Sequence, residues 1–251
     1  MASLVLAVLL LAGCHELLPY TASSMDAGGR DVDRPDRGIG VDGRPLADRG
    51  AERLPVPDLL APDMKSPPLF EDDFSTGTKL KDDGSGAWST SGGQYHAADC
   101  WAATPDAWVP GASWGDVRVS AQVKIDQVCL LAFFGEAGLI GRVTSATGCT
   151  NRYYFCAVAT AGDLTAGRRD SDCEGTNYAQ TKTTIAEGVW YSLELVITGS
   201  AAGATKVVCT IVGAGVTVTY VDAETPYGSG SAGVFARDAK ASFDDLKVEL
   251  P

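Results

Sequence analysis

Leu139-Ile140-Gly141-Arg142-Val143, Tyr153-Tyr154-Phe155-Cys156-Ala157-Val158-Ala159 and Leu164-Thr165-Ala166-Gly167-Arg168-Arg169 follow one another between residues 139 and 169, and their reading decides the fold. The first run is apolar and interrupted by a single arginine. The second is aromatic and β-branched, and Ala161-Gly162-Asp163 separates it from the third. Two strand-like runs joined by a short glycine-containing turn predict a β-hairpin over residues 153–169. Cys149 and Cys173 stand at nearly equal distances from that turn.

The same period of two continues outward. Val117, Val119, Ala121 and Val123 alternate with polar residues, as do Tyr191, Leu193, Leu195 and Ile197. Further strands are expected at 70–74, 94–98, 128–134, 206–212, 216–220, 233–237 and 243–249, and no stretch after Leu69 has a helical period. Roughly a dozen strands suffice for two packed antiparallel sheets, so the expected fold class is an all-β sandwich.

Composition separates this sandwich from what precedes it. Eight of the twelve prolines lie before Leu69 and all five tryptophans after it. Net charge is −12; residues 15–68 carry 7 basic against 10 acidic groups, and residues 69–251 carry 13 against 22. Such a field repels phosphates, which argues against nucleic acid as a partner. Residues 15–68 are rich in Pro, Asp, Arg and Gly with hardly an aromatic, a composition that cannot bury enough apolar surface to offset chain entropy. They are expected to form an extended tether.

Residues 1–13 form an apolar run too short to span a bilayer as a helix and ending in small residues, the pattern of a signal peptide. Leu11-Ala12-Gly13-Cys14 resembles the bacterial lipobox, in which the cysteine is acylated and the preceding residues are removed. That resemblance implies a chain held to the cell envelope through lipid on Cys14, since two or three acyl chains give a stable attachment. His15 follows the cysteine where the retention pattern has Asp, which points to the outer membrane. The organisation expected is therefore a signal peptide over 1–13, a lipidated tether over 14–68 and a monomeric β-sandwich over 69–251.

Several short motifs, in order, carry a second resemblance. They are Phe70-Glu71-Asp72-Asp73-Phe74, Trp88, Trp114-Gly115-Asp116-Val117, Gly141-Arg142, Gly188-Val189-Trp190-Tyr191, Gly233-Val234-Phe235 and Phe243-Asp244-Asp245-Leu246. Together they make residues 69–250 similar to the concanavalin A-like lectin and glucanase superfamily, in particular its laminin-G-like jelly rolls. The resemblance implies that the first and last strands lie side by side, bringing Asp72 and Asp73 near Asp244 and Asp245. Hard oxygen ligands converging there would suit calcium, and capping of strand ends is the alternative.

Apart from Cys14, six cysteines remain, an even number suited to disulfides outside the cytoplasm. Of fifteen possible pairings, the flanking positions of Cys149 and Cys173 favour closing the hairpin. The mid-strand positions of Cys156 and Cys209 favour a second bridge, which leaves Cys100 with Cys129. Zinc is disfavoured: there is no Cys-x-x-Cys, and His15 and His96 are isolated.

The Glu-x-Asp-x-x-Glu strand of the glucanases, which sets two carboxylates about 5 Å apart, does not occur, and a Ser-His-Asp hydrolase is poorly supported because His96 stands isolated in Gln-Tyr-His-Ala. Sugar binding needs aromatic faces and a few orienting polar groups. Trp101 and Trp108 fall in a segment that reads as a loop and are the expected ligand contacts; Trp88, Trp114 and Trp190 are assigned to packing. Tyr153 would line the concave sheet. Arg142 would either line it too or form a salt bridge inside the sheet. The leading expectation is a non-catalytic glycan-binding sandwich, with a divergent glycoside-active enzyme or a protein-interaction domain as alternatives.

Overall fold

The period-two pattern emerges as strands in the computed structural model, which describes residues 66–85, 87–98, 104–130, 132–144, 151–170 and 176–251. In chain order they are β1 (Phe70–Asp72), β2 (Lys81–Asp82), β3 (Trp88–Ser91), β4 (Gln94–Ala97), β5 (Asp106–Trp108), β6 (Val117–Val128), β7 (Glu136–Val143) and β8 (Tyr153–Ala159). There follow β9 (Asp163–Arg169), β10 (Thr176–Lys182), β11 (Trp190–Gly199), β12 (Thr205–Ile211), β13 (Val216–Asp222), β14 (Ser231–Arg237) and β15 (Ala239–Glu249). They form two antiparallel sheets. One has the order β13-β12-β11-β6-β15-β4-β3 with β1 also on β15, and the other β10-β9-β8-β7-β14-β5-β2. Neighbours in space are often distant in sequence, as the β6–β15 and β7–β14 ladders show, which makes this a jelly-roll sandwich and not a meander.

Alternation decides which side chains meet between the sheets. Val117, Val119, Val123 and Ile125 of β6 face Leu139 of β7 and Tyr154, Cys156 and Val158 of β8 in one core cluster. The expected hairpin turns at Gly162, whose φ of +81° suits glycine, and pairs Ala159 with Asp163 and Tyr153 with Arg169. Cys156 of β8 is bonded to Cys209 of β12, so one covalent link ties the two sheets in mid-core. Cys129 is also disulfide-bonded. Cys14, Cys100, Trp101, Cys149 and Cys173 lie outside the described residues. β1 does lie beside β15, with Asp72 opposite Leu246.

Three expectations are corrected. Residues 128–134 are not a strand: β6 keeps its ladder with β15 as far as Val128, and the chain then turns before β7. Trp108 is not in a loop but in β5, only 5% exposed. Trp190 is 36% exposed, because it starts β11 on the outward register opposite Lys124, whose ammonium sits 4.7 Å from the ring. β3 and β10 escaped the sequence reading because Ser-Thr-Ser and Thr-Asn-Tyr-Ala-Gln-Thr-Lys carry no apolar alternation.

Arg142 does not line the concave sheet. The β7–β14 register steps from Gly141 opposite Ala232 to Val143 opposite Ser231, so Arg142 is the extra residue of a bulge, with φ +52°. Its fully buried guanidinium sits among the ends of β11 and β12 and the segments before β6 and β14. There it donates to the carbonyls of Gly115 (2.8 Å), Tyr227 (2.6 Å) and Gly199 (2.8 Å), to Thr205 Oγ1 (3.0 Å) and to Asp116 Oδ1 (3.2 Å). One side chain thus satisfies carbonyls from three separate segments.

Replacing Arg142 removes all of these donors at once. Arg142→Ala should cost about 3–5 kcal/mol, because buried acceptors are left without partners. For a domain of this size that corresponds to a melting temperature lower by roughly 10 °C. Arg142→Lys should recover less than half of the loss in a thermal melt, since an ammonium cannot reproduce the planar fork. A melt unchanged by Arg142→Ala would contradict this account.

Candidate functional site

The middle of the seven-stranded sheet, from β9 through β8 and β7 to β14, is buried on both faces. All seven residues of β8 are buried, and while Tyr154, Cys156 and Val158 enter the inter-sheet core, Tyr153, Phe155 and Ala157 point the other way. On that outer face they join Trp108, Ile140, Val143 and Phe235 in a second apolar cluster. Phe235 lies 5.9 Å from Phe155 in an edge-on arrangement and 6.0 Å from Tyr153. Gly138 lets the backbones of β7 and β8 approach closely beside these rings. It stands opposite both Phe235 and Ala157, and a Cβ there would lie 2.0 Å from the Cys156 carbonyl oxygen.

Beside this cluster the face opens into a groove of about 170 Å³. Tyr153, Phe155, Phe235, Ala159 and Thr165 border it from the sheet, Tyr178 and Gln180 from β10, and Phe134 from the segment before β7. Tyr178 is 54% exposed and presents a ring face to solvent. The polar rim consists of paired charges. Glu136 and Arg237 are register partners joined at 2.9 Å, and Asp163 meets Lys182 at 2.9 Å. Burial raises the Glu136 carboxyl above the usual carboxylate range while Arg237 opposes the shift. Arg169 stacks 6.0 Å from the Tyr153 ring and donates to its hydroxyl at 3.2 Å.

Beneath the aromatic cluster lies Asp106, 2% exposed at the start of β5. Its carboxylate accepts hydrogen bonds from Asn151 Nδ2 (2.7 Å) and the Tyr153 hydroxyl (3.2 Å). Burial pushes its pKa up to about 7 in spite of these donors. Asp106, Tyr153 and Arg169 thus form one hydrogen-bonded row across the sheet behind the groove. An aromatic floor with hydrogen-bonding groups at its edge fits the apolar faces and hydroxyls of a saccharide ring.

Of the residues singled out from sequence, Tyr153 stands at this groove. Trp108 packs in the cluster without bordering the opening, and Arg142 is elsewhere. Phe155, Phe235, Tyr178, Gln180, Arg169 and Arg237 were missed. The alternation of β8 and β14 does place Phe155 and Phe235 on the same face as Tyr153, a signal present in the sequence once the pairing is known.

The aspartates near β1 are neighbours but serve local turns. Asp72 accepts from the N–H of Phe74 (3.0 Å) and of Lys79 (2.7 Å), Asp73 from the N–H and hydroxyl of Ser75, and Asp244 from the N–H of Asp245 (2.8 Å). Among the described residues no group of three or more His, Cys, Asp or Glu side chains is placed to hold a metal ion. These are local hydrogen bonds of the kind the capping alternative describes.

Asp106 makes stability depend on pH in a definite direction. Its carboxyl titrates near 7 when folded and near 3.8 as a free group, so the folded state holds a proton that the unfolded state lacks between these values. Stability from this group is present below about pH 4 and lost as pH rises through 7. Chemical denaturation of Asp106→Asn and wild type at pH 5 and pH 8 should therefore show the variant gaining relative to wild type at the higher pH. An equal difference at both would show that Asp106 is ionised throughout.

No protein-family model and no curated protein matches the sequence. Solved structures do match the fold. A carbohydrate-binding module, CBM66 from Bacillus subtilis, superposes with a TM-score of 0.54 at 16% identity, covering 68% of this chain and 96% of that one. A prokaryotic β-1,3-1,4-glucanase (lichenase) derived from a mouse hindgut metagenome gives 0.51 at 8% identity, covering 72% and 99%. A β-glucanase from Bacillus licheniformis gives 0.50 at 7%, covering 72% and 97%. At such identities the likeness is one of fold alone, a two-sheet antiparallel jelly-roll sandwich.

Proposed function

We propose that this protein is a lipid-anchored protein of the bacterial cell envelope whose sandwich binds a glycan, without cleaving it, in the groove on the outer face of the seven-stranded sheet. The observation that carries the reading is the exposed ring of Tyr178 beside the close-packed aromatic floor of Tyr153, Phe155 and Phe235, rimmed by Gln180, Thr165 and the Glu136–Arg237 pair. Aliphatic ring faces stack on an exposed aromatic ring, and the rim offers both donors and acceptors for hydroxyls. The presence of a carbohydrate-binding module among proteins of the same fold supports it. The groove volume, about 170 Å³, is below the roughly 300 Å³ of drug-sized pockets, so it suits one ring more than a long chain.

One observation favours cleavage as a second reading. Glu136 and Asp163 both border the groove and both stand opposite Ala159, so two strand spacings, about 9.5 Å, separate their backbones. Inverting glycosidases hold their carboxyl groups roughly 6.5–9.5 Å apart, and burial raises Glu136 as a general acid requires. The cations on both carboxylates, Arg237 and Lys182, count against it.

A glycan array probed with the compact unit Leu60–Pro251 tests the main reading. Retention of at least one saccharide is expected, weakened several-fold by Tyr178→Ala with an unchanged melt, because a lost stacking ring is worth on the order of 1 kcal/mol. An array without any retained saccharide would sink the reading. Release of reducing ends from a polysaccharide, abolished by Glu136→Gln, would replace it with the second. The anchor is tested separately: the full chain should incorporate labelled palmitate and Cys14→Ser should not, whereas equal labelling would remove Cys14 as the attachment point.

A further inference from the structure

Between β6 and β7 the sequence runs Cys129-Leu130-Leu131-Ala132-Phe133-Phe134-Gly135, an apolar segment without a charge. Its composition predicts burial. The structure instead leaves Leu130 92% and Phe133 104% exposed. Single exposed apolar residues are ordinary, but two nearly naked ones within one short apolar run need an explanation.

The segment that carries them is fixed at both ends. Cys129 is disulfide-bonded, its N–H donates to the Asp238 carbonyl at 2.9 Å, and its own carbonyl accepts from the Ala132 N–H at 2.9 Å. At the other end the Gly135 N–H donates to Thr160 Oγ1 and the Gly135 carbonyl accepts from the Thr160 N–H, both at 3.0 Å. A Cβ on Gly135 would stand 2.7 Å from the Ala239 Cβ, so the backbone is tightly seated there. Phe134 lies against the Arg237 guanidinium, 5.7 Å away, and borders the groove. Phe133 therefore projects from the residue next to the rim.

We infer that the groove's ligand is a glycolipid: its sugar sits on the aromatic floor, and its apolar chain leaves over Phe134 onto Phe133 and Leu130. The inference rests on the glycan reading of the groove. Continuity with the rim is what selects this occupant: Phe134 borders the groove, and Phe133 is its neighbour in the chain. A second copy of the chain fits poorly, because two side chains bury far less than the roughly 1,200 Å² of a stable dimer. A bare lipid surface leaves the groove beside it without a role. Because Cys129, Ala132 and Gly135 are held by backbone hydrogen bonds, contact with a chain costs little backbone entropy at these residues.

Titration calorimetry of Leu60–Pro251 against methyl and octyl β-glycosides of glucose, galactose, mannose and N-acetylglucosamine, below their micellar concentrations, tests this. For the sugar that binds, the octyl form should be on the order of tenfold tighter than the methyl form, as burial of a few methylenes implies. Leu130→Ser combined with Phe133→Ser should erase that gain, leave methyl glycoside affinity within twofold, and keep the melting temperature. Methyl and octyl forms of equal affinity, or a gain that survives the double substitution, would overturn the inference while the glycan reading stands. Octyl phosphocholine binding as tightly as the octyl glycoside, or a dimer in sedimentation that the double variant dissolves, would overturn it in favour of a lipid surface or a second copy. If no glycoside binds in either form, the glycan reading falls and the inference with it.

Discussion

The structure depends on a sheet that is apolar on both faces. β8 buries every one of its residues, so whichever face enters the sandwich, the other must also leave water. An antiparallel sheet with one solvated face carries polar residues at every second position, as β6 does with Arg118, Ser120, Gln122 and Lys124. β8 carries Tyr153, Phe155 and Ala157 there instead. The inter-sheet core absorbs one set, and the cluster around Phe235 and Trp108 absorbs the other. The groove exists because that second cluster stops short of β10, leaving Thr165, Gln180 and Tyr178 around an opening.

Holding two such sheets in register calls for links that are not apolar. The Cys156–Cys209 bridge joins them in mid-core, and Arg142 links three separate segments by satisfying the carbonyls of Gly115, Gly199 and Tyr227. Further along the sandwich Asp222 accepts from Arg168 at 3.0 Å and from the Tyr154 hydroxyl at 2.8 Å, a cross-sheet contact between β13 and the β8–β9 hairpin. Buried charges of this kind are costly unless fully partnered, and these are held by several hydrogen bonds each.

Charge is handled differently at the groove. Its carboxylates carry cations at the rim, and Asp106 is placed underneath, where burial favours its neutral form. The aromatic surface therefore has little unbalanced charge nearby, in a domain that is acidic as a whole. The apolar segment before β7 continues that uncharged surface outward through Phe134 to Phe133 and Leu130.

The sequence by itself determined the class of fold, because a period of two in Val117–Val128, Tyr153–Ala159 and Trp190–Gly199 has only one regular realisation. It also determined the hairpin at Gly162, and it favoured the pairing of Cys156 with Cys209 that the structure shows. It could not determine which of the two buried faces of β8 lies between the sheets, because both are apolar. That choice fixed Tyr153, Phe155 and Phe235 as a floor and put Trp108 beneath the surface. Nor could it place Arg142, whose bulge depends on the β7–β14 register, or foresee that Leu130 and Phe133 stand in water. Register and strand order arise from contacts between residues far apart in the chain, and only the tertiary structure decides them.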